Sequence, residues 1–258
     1  MNAGHGLARM TTLTPLLADA PTIVEALRLV VADFHDRPTA EVVGKGGKRY
    51  AFFPTAVTDN IPPLSPALSD AICLLAGLHI ERHREATLGV GEEDRGAMVI
   101  ADILRQYRLP RTLARWTPSG GPGEIVVALS NEYIQEGTTS VYLNGVRPGD
   151  RILLVDDLIS TGGTLLALIQ AARRAGAEIL EVFTIGEKTE NGGRRFIEDA
   201  TGIQVKTLIG SDLAAHPDGI RSRVTHVNLG RRLPPETFAA VAAAFPAGFC
   251  RPGSGAPA

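Results

Sequence analysis

The stretch from 151 to 176 constrains the fold most, because it joins a buried-strand pattern, two acidic residues, a glycine-rich turn and a helix pattern in that order. Residues 152–155 are branched apolar residues without a polar interruption, which favours a strand buried on both faces of a parallel sheet. From Thr164 apolar residues recur at helical spacing, and Gly176 follows a basic last turn, as a C-cap does. The stretch therefore predicts a strand, a turn and a helix of an α/β protein.

The turn in this unit has the features of a phosphate site. Ligands of open α/β sheets bind beyond the carboxyl ends of the strands, and a helix N-terminus preceded by Ser-Thr-Gly-Gly-Thr (160–164) offers N–H groups, hydroxyls and a favourable dipole to a phosphate. Asp156 and Asp157 would repel the same anion, so they suit vicinal hydroxyls, a metal or a developing cation. A phosphorylated sugar satisfies both halves.

The acidic residues and the glycine-rich turn allow one alternative interpretation. A receiver-like or metal-binding acidic corner with an accidental Gly-Gly turn is the alternative for the same residues. Two commoner phosphate motifs, G-x-x-x-x-G-K-[ST] and a G-x-G-x-x-G that closes a strand, do not occur in the sequence. A sugar-phosphate site is therefore the interpretation that accounts for both the acidic pair and the glycine-rich turn.

Composition limits the class of protein and its partners. With 258 residues, 44% of them hydrophobic, the chain can bury a substantial core. A net charge of −2 without a long basic run predicts neither a nucleic-acid nor a membrane partner. Cys73 and Cys250 lie far apart without metal-ligand spacing, and no stretch approaches the ~18 apolar residues of a membrane span or forms a signal-peptide core. We therefore predict a cytoplasmic protein without a structural metal or a disulfide.

Periodicity and turn residues predict the remaining elements of the chain. Helices are predicted over 22–37, 69–79, 97–107, 194–200 and 238–245, and strands over 41–44, 49–53, 86–91, 110–116, 124–129, 139–143, 178–185 and 205–209. The strand at 205–209 is predicted to be the last. We expect an N-terminal arm and helix (1–40), a hairpin and proline-rich loop (41–66), an α/β core (67–210) and a C-terminal extension (211–258) whose tail from 251 is disordered.

The stretch Val155-Asp-Asp-Leu-Ile-Ser-Thr-Gly-Gly-Thr164 resembles the phosphoribosyl pyrophosphate (PRPP) signature of type I phosphoribosyltransferases. The resemblance implies an α/β fold with a parallel sheet flanked by helices, a small N-terminal hood and a flexible β-hairpin lid. It implies that Asp156 and Asp157 act in catalysis by holding the ribose hydroxyls. The residues implied to bind the 5′-phosphate of PRPP are Ser160, Thr161, Gly162, Gly163 and Thr164.

Three further segments resemble the purine branch of this family, namely adenine and archaeal hypoxanthine/guanine phosphoribosyltransferases. The segment from Glu93 to Gly96 is similar to a Glu-Ala-Arg-Gly loop that cradles the pyrophosphate of PRPP, although an aspartate replaces the alanine. The residues implied to bind pyrophosphate are Glu93, Asp94, Arg95, Gly96 and Arg115. Trp116 stands where the family carries a lysine after this arginine, which removes one phosphate contact and puts an aromatic ring near the site. The alternative for Trp116 is packing against the hood or a neighbouring subunit.

The hood and the lid are implied by two polar segments. The segment Thr58-Asp-Asn-Ile-Pro-Pro63 is similar to the hood over the base in the purine branch. The candidate base-binding residues are Phe53, Thr58, Asp59, Ile61 and Ile159. The polar connection 130–138 resembles the flexible catalytic loop, which would exclude water from an activated ribosyl donor. It supplies Glu132, as a proton handler near the base, and Tyr133 as further candidate catalytic residues.

The resemblance implies a transferase that moves 5-phosphoribosyl from PRPP to a nitrogen of a purine or a purine analogue and releases pyrophosphate. The implied cofactor is Mg²⁺, bound mainly through PRPP with Asp156 and Asp157 as candidate ligands, and the implied assembly is a homodimer. Adenine, hypoxanthine, guanine and an analogue from secondary metabolism all remain open as the acceptor. Two alternatives also stay open, namely a regulator that senses PRPP or a purine, and a transferase with a non-purine acceptor.

Overall fold

A computed structural model describes residues 18–43, 49–128 and 140–253 of the chain. Within them lie seven α-helices, bounded as follows: α1 Ala20–Phe34, α2 Ala56–Asp59, α3 Pro66–His79, α4 Ala97–Gln106, α5 Gly163–Arg174, α6 Gly193–Thr201 and α7 Pro235–Ala242. The strands of the same residues are β1 Ala40–Val43, β2 Arg49–Phe52, β3 Leu88–Glu92, β4 Arg111–Ala114, β5 Ile125–Ala128, β6 Ser140–Leu143, β7 Arg151–Ile159, β8 Glu178–Lys188, β9 Val205–His216, β10 Gly219–Leu229 and β11 Cys250–Pro252. A 3₁₀ turn, Thr189–Asn191, separates β8 from α6.

Seven of these strands form one mostly parallel sheet in the order β11-β10-β9-β8-β7-β3-β4. The strand predicted from the 152–155 run, β7, lies between β3 and β8 and is parallel to both. Its side chains alternate between two cores, as the period of a strand requires: Leu153 and Val155 join the core under α1, α3 and α4, and Ile152 and Leu154 join the core under α5. Helices on both faces explain why this strand has no polar residue before Asp156.

Two antiparallel hairpins lie outside the main sheet. Strands β1 and β2 pair as the sequence predicted for the first hairpin, and β5 pairs with β6. The segment predicted as a loop, 53–66, contains the one-turn helix α2, which begins in a capping box formed by Thr55 and Thr58. The proline content of this segment therefore hid a short helix, because both prolines of the Pro-Pro pair follow the helix rather than interrupt it.

The prediction that 205–209 is the last strand was wrong. Strand β9 continues to His216, turns through Pro217 and Asp218, and returns as β10, which pairs antiparallel with it. Strand β11 then adds parallel to β10, so residues 250–252, partly assigned to a disordered tail, belong to the sheet. The outer ends of β9 and β10 are exposed or only half-buried, so they show no buried-strand pattern, although Pro-Asp-Gly219 is a strong turn signal.

The extension after residue 210 also covers the N-terminal helix. The first core cluster joins side chains of α1 with Val224 and Val227 of β10 and with Val241 of α7. Backbone and side-chain hydrogen bonds tie the segment after α1 to β10, for example from the Arg37 N–H to the Ser222 Oγ at 2.9 Å. None of the helices among the described residues is long and apolar enough to cross a bilayer.

Candidate active site

Two consecutive aspartates, Asp156 and Asp157, lie near the carboxyl end of the central strand, which continues past them to Ile159 instead of ending at Val155. Asp156 is 4% exposed and Asp157 is 6% exposed, although both are charged residue types. Burial raises the pKa of both carboxyls. The charges of Asp157 and Glu92 raise the pKa of Asp156 further. The Oδ2 atom of Asp157 is buried and has no hydrogen-bond partner among the described residues. A buried carboxylate with a free oxygen is suited to accept hydrogen bonds from a bound hydroxyl.

The glycine loop, residues 160–164, connects this strand to α5 as the sequence predicted. Gly162 is the N-cap of α5 with φ 87°, a left-handed conformation that favours glycine. It makes no side-chain cap, so the first N–H groups of the helix are available to a ligand. These are the N–H groups to which the resemblance assigns the 5′-phosphate.

The glycine loop is supported from below by the start of α6. A Cβ atom at Gly193 would lie 2.2 Å from the carbonyl oxygen of Ser160, so only glycine allows the two backbones to approach this closely. The Asn191 Nδ2 atom donates to the Ser160 Oγ at 2.8 Å. Sequence reasoning did not single out Asn191 or Gly193, although the Asn-Gly-Gly turn was a visible signal.

A second loop meets the acidic pair from the neighbouring strand. We call residues 92–96, at the end of β3, the acidic loop. Gly96 is the N-cap of α4 with φ 69°, and a Cβ atom there would lie 2.3 Å from the Cβ of Asp157. The acidic loop is thus packed directly against the acidic pair, and the N-termini of α4 and α5 both open beside these two carboxylates.

The acidic loop is joined to the end of β4 through two carboxylates. Glu93 accepts from the Trp116 backbone N–H at 3.1 Å and pairs with the Arg115 Nε at 3.3 Å. Glu92 accepts from the Trp116 Nε1 at 2.6 Å and from the Arg95 backbone N–H at 3.2 Å. Burial, followed by the charges of Asp157 and Asp94, raises the pKa of Glu92 to about 7. Glu92 was not among the predicted site residues.

Helix α2 brings the predicted hood residues Thr58 and Asp59 to the acidic loop. The Thr58 carbonyl accepts from the Gly96 N–H at 3.3 Å, and Asp59 pairs with the Arg95 guanidinium at 3.3 Å. The same guanidinium lies 4.7 Å from the centre of the Phe52 ring. These contacts hold α2 beside the acidic loop.

The remaining candidate base-binding residues occupy different environments. Phe53 is 2% exposed and packs edge-on against Phe34, with the centroids 6.3 Å apart, and Ile159 is equally buried. Ile61 is 55% exposed. Burial leaves Phe53 and Ile159 little surface for direct contact with a base, so their contribution would be to shape its surroundings.

Lys188 is a site residue that sequence reasoning missed. It ends β8, and its Nζ lies 5.4 Å from the centre of the Phe53 ring. Burial lowers the pKa of this lysine, and the charge of Arg95 lowers it further, whereas Glu190 raises it. A half-buried ammonium therefore stands near the predicted hood, placed there by a strand register that no local pattern reveals.

The predicted lid lies outside the described residues, and so do Glu132 and Tyr133. The strands on either side of it are described: β5 ends at Ala128, and β6 begins at Ser140. Tyr142 of β6 exchanges two backbone hydrogen bonds of 2.8 Å with Arg115. Strand β6, which pairs with β5, is therefore joined to Arg115 just after β4.

The described residues fit a magnesium ion only as part of a substrate complex. They contain no cluster of three or more His, Cys, Asp or Glu side chains arranged to hold a metal. Asp156 and Asp157 can supply one or two oxygen ligands, and Asp157 has a free oxygen. This donor set suits Mg²⁺, which is usually bound by one or two carboxylates together with substrate phosphates.

Comparison with known proteins agrees with this geometry. The Phosphoribosyl transferase domain family matches residues 71–207. A hypoxanthine/guanine phosphoribosyltransferase of Methanocaldococcus jannaschii is 33% identical over 164 residues, which cover 64% of this chain and 86% of the relative. One from Methanothermobacter thermautotrophicus is 35% identical over 173 residues, which cover 67% of this chain and 84% of the relative.

Solved structures share the fold. The crystal structure of an adenine phosphoribosyltransferase from Rhodothermus marinus superimposes with a TM-score of 0.54 at 24% identity, covering 72% of this chain and 97% of the other. One from Thermoanaerobacter pseudethanolicus superimposes with a TM-score of 0.55 at 22% identity, covering 72% and 99%. The family match covers more than half of the chain, and the relatives are more than 30% identical over most of their length. These two findings show that the protein belongs to the phosphoribosyltransferase family.

Proposed function

We propose that this protein is a purine phosphoribosyltransferase that transfers 5-phosphoribosyl from PRPP to a purine and releases pyrophosphate. The observation that carries the proposal is the contact of Gly96 with Asp157, because it puts two helix N-termini on either side of the acidic pair. One N-terminus, at the glycine loop, would hold the 5′-phosphate, and the other, at the acidic loop, would hold the pyrophosphate. Asp156 and Asp157 would then meet the ribose between them.

In this proposal the acidic pair both positions and stabilises the sugar. The free Oδ2 of Asp157 accepts a hydrogen bond from a ribose hydroxyl, and two carboxylates offset the positive charge that develops on an oxocarbenium-like ribose. Mg²⁺, when bound with PRPP, neutralises the leaving pyrophosphate. We include Mg²⁺ in the proposal because the acidic loop itself contains Glu92, Glu93 and Asp94, whose negative charges would repel a bound anion.

For the pyrophosphate we propose Arg95 and Arg115 as the positively charged partners. Arg95 is exposed in the acidic loop and Arg115 is half-buried beside it, and among the described residues each pairs with one carboxylate, Asp59 or Glu93 respectively. A guanidinium has five donors and can serve a carboxylate and a phosphate oxygen together. Glu132 and Tyr133 of the predicted lid stay proposals for handling the proton of the base.

For the acceptor we propose a 6-oxopurine, hypoxanthine or guanine, ahead of adenine. Lys188 carries three donors and no acceptor, so beside the hood it would pair with an exocyclic oxygen but not with an exocyclic amino group. The names of the relatives from the two methanogens agree with this choice. A cytoplasmic homodimer is proposed from the family resemblance, and size-exclusion chromatography with light scattering tests the dimer.

The test is pyrophosphate release from PRPP and Mg²⁺ with a panel of hypoxanthine, guanine, xanthine, adenine, orotate, uracil and deazapurines. Release that requires hypoxanthine or guanine supports the proposal. Tight PRPP binding without release for any base would favour a sensor, and release only with orotate or uracil would refute the purine assignment. Conversion of Lys188→Met should reduce the preference for 6-oxopurines by about 10-fold if the lysine contributes one hydrogen bond.

The acidic pair can be tested separately. Asp157→Asn removes the charge but keeps the size of a buried side chain, so we expect a folded protein whose kcat falls by at least about 100-fold, the scale of one lost electrostatic contact in a transition state. Thermal unfolding and PRPP binding measured by calorimetry serve as controls. Near-normal turnover in this variant would be incompatible with the proposed role.

A further inference from the structure

Trp116 stands at the place where the resemblance described above puts a lysine. A lysine at this place would add positive charge beside a pyrophosphate, and tryptophan cannot. The structure shows instead that the indole ring is half-buried against the core under α5. Its Nε1 donates to the Glu92 Oε2 at 2.6 Å. This is a short hydrogen bond to a carboxylate, the stronger class of such bonds.

Glu92 links that indole to the acidic loop. Its other oxygen, Oε1, accepts from the backbone N–H of Arg95 at 3.2 Å, so one carboxylate closes the turn from residue 92 to residue 95 and ties it to β4. Glu92 is only 6% exposed, and both of its oxygens have partners. Buried carboxylates require such partners, which means that loss of either donor would disturb the turn.

The neighbouring residues strengthen this connection. Glu93 accepts from the Trp116 backbone N–H and pairs with Arg115, so the side chains of both glutamates reach Trp116, just after β4. Gly96, at the other end of the loop, packs on Asp157. The conformation of the acidic loop is therefore set at one end by Trp116 and at the other by the acidic pair.

We propose that Trp116 and Glu92 form a positioning pair for pyrophosphate: the indole, through the Glu92 carboxylate, holds the acidic loop in the conformation that receives the pyrophosphate group of PRPP. Trp116 thus takes the place of a phosphate-binding lysine by orienting N–H groups and Arg95 rather than by adding charge. The inference rests on the proposed function, because it takes the acidic loop to be the pyrophosphate subsite.

Trp116 is also the only tryptophan of the chain, so its fluorescence reports on this pair alone. We expect pyrophosphate, and PRPP with Mg²⁺, to change the emission of the wild-type protein, because the indole is one hydrogen bond away from the loop that binds them. Ribose 5-phosphate, which has no pyrophosphate group, should bind to the glycine loop and leave the emission nearly unchanged. Equal emission changes for the two ligands would contradict the pair.

Two substitutions test the hydrogen bond itself. Trp116→Phe keeps an aromatic ring but removes the Nε1–H donor, and Glu92→Gln turns one acceptor oxygen into an amide that faces an N–H donor. Each should raise the Kd for pyrophosphate, measured by calorimetry, and the KM for PRPP by roughly 10-fold, the usual scale for losing a hydrogen bond to a charged group. The Kd for ribose 5-phosphate should stay within about twofold.

The double variant decides whether the two residues act together. Because both substitutions break the same bond, the double variant should be little worse than either single variant. Effects on pyrophosphate binding that multiply, or single variants that bind it normally, would overturn the inference and leave the proposed function standing. If the wild-type protein binds ribose 5-phosphate but not pyrophosphate, both fail. Should Trp116→Phe not fold by circular dichroism, the Glu92→Gln result alone decides.

Discussion

Glu92 shows how a single buried residue makes stability depend on pH. Burial raises its pKa from the model-peptide value of 4.5 to about 7, so the folded protein binds a proton more tightly than the unfolded chain. The associated stability is therefore fully present below pH ~4.5 and is lost as the pH rises through about 7, on the order of 3 kcal/mol for an isolated group.

The variant Glu92→Gln cannot titrate at this position, so the difference between its free energy of unfolding and that of the wild-type protein reports on Glu92. The free energy of unfolding of the wild type should fall relative to that of the variant between pH 5 and pH 8, because the wild type must ionise a buried group. Urea unfolding at several pH values measures it. Parallel pH profiles for the two proteins would show that Glu92 is already ionised at pH 5 in the folded state.

At the scale of elements, the one-turn helix α2 depends on a carboxylate from α1. Asp33 is buried, and its two oxygens accept from the backbone N–H groups of Ala56 at 2.9 Å and Val57 at 3.1 Å. These are N–H groups at a helix start that lack partners within the helix. Asp33 therefore holds the element that carries Thr58 and Asp59 to the acidic loop.

We expect Asp33→Ala to destabilise the protein by about 1–3 kcal/mol and to raise the KM for PRPP, because two buried N–H groups lose their acceptor and α2 loosens. Asp33→Asn keeps one acceptor oxygen and should restore part of both losses. Asp102→Ala, which removes a hydrogen bond of 2.7 Å to Ser69 between α3 and α4, is the matched control. If both alanine variants raised KM equally, the effect would be general destabilisation.

At the scale of the whole molecule, the sheet extends beyond the region that matches the family, residues 71–207. Strand β10 buries Val224, Val227 and Leu229, each worth about 1.5–3 kcal/mol when fully buried. A chain that ends at residue 210 would lose these contacts and expose the edge of β9. We expect it to be insoluble or unfolded in expression and thermal unfolding assays, whereas a chain that ends at residue 253 should match the full protein.

Structure that depends on neighbouring residues could be predicted from the sequence, whereas contacts between residues distant in sequence could not. Residues 151–176 have a mainly local structure, so the order of strand, glycine loop and α5 was predicted, although β7 continues through the acidic pair to Ile159 instead of ending at Val155. Glu92 and Trp116 are 24 residues apart, and Asp33 is 23 residues from Ala56, so these contacts exist only once the sheet brings the elements together. Strand β10 was missed because it buries the polar residues Ser222, His226 and Asn228, so its sequence lacks the apolar pattern of a buried strand.

The position of β7 inside the main sheet limits the motion of the aspartates that it carries. This strand has two neighbours on one side of the sheet and four on the other, and helices cover both of its faces. Its amide hydrogens should exchange with solvent only when most of the molecule opens, whereas those of α2 and the acidic loop can exchange through local opening. In the proposed function, the sugar would thus be held by the strand whose amides exchange most slowly. The residues beside the base and the pyrophosphate would belong to segments that open locally and exchange faster.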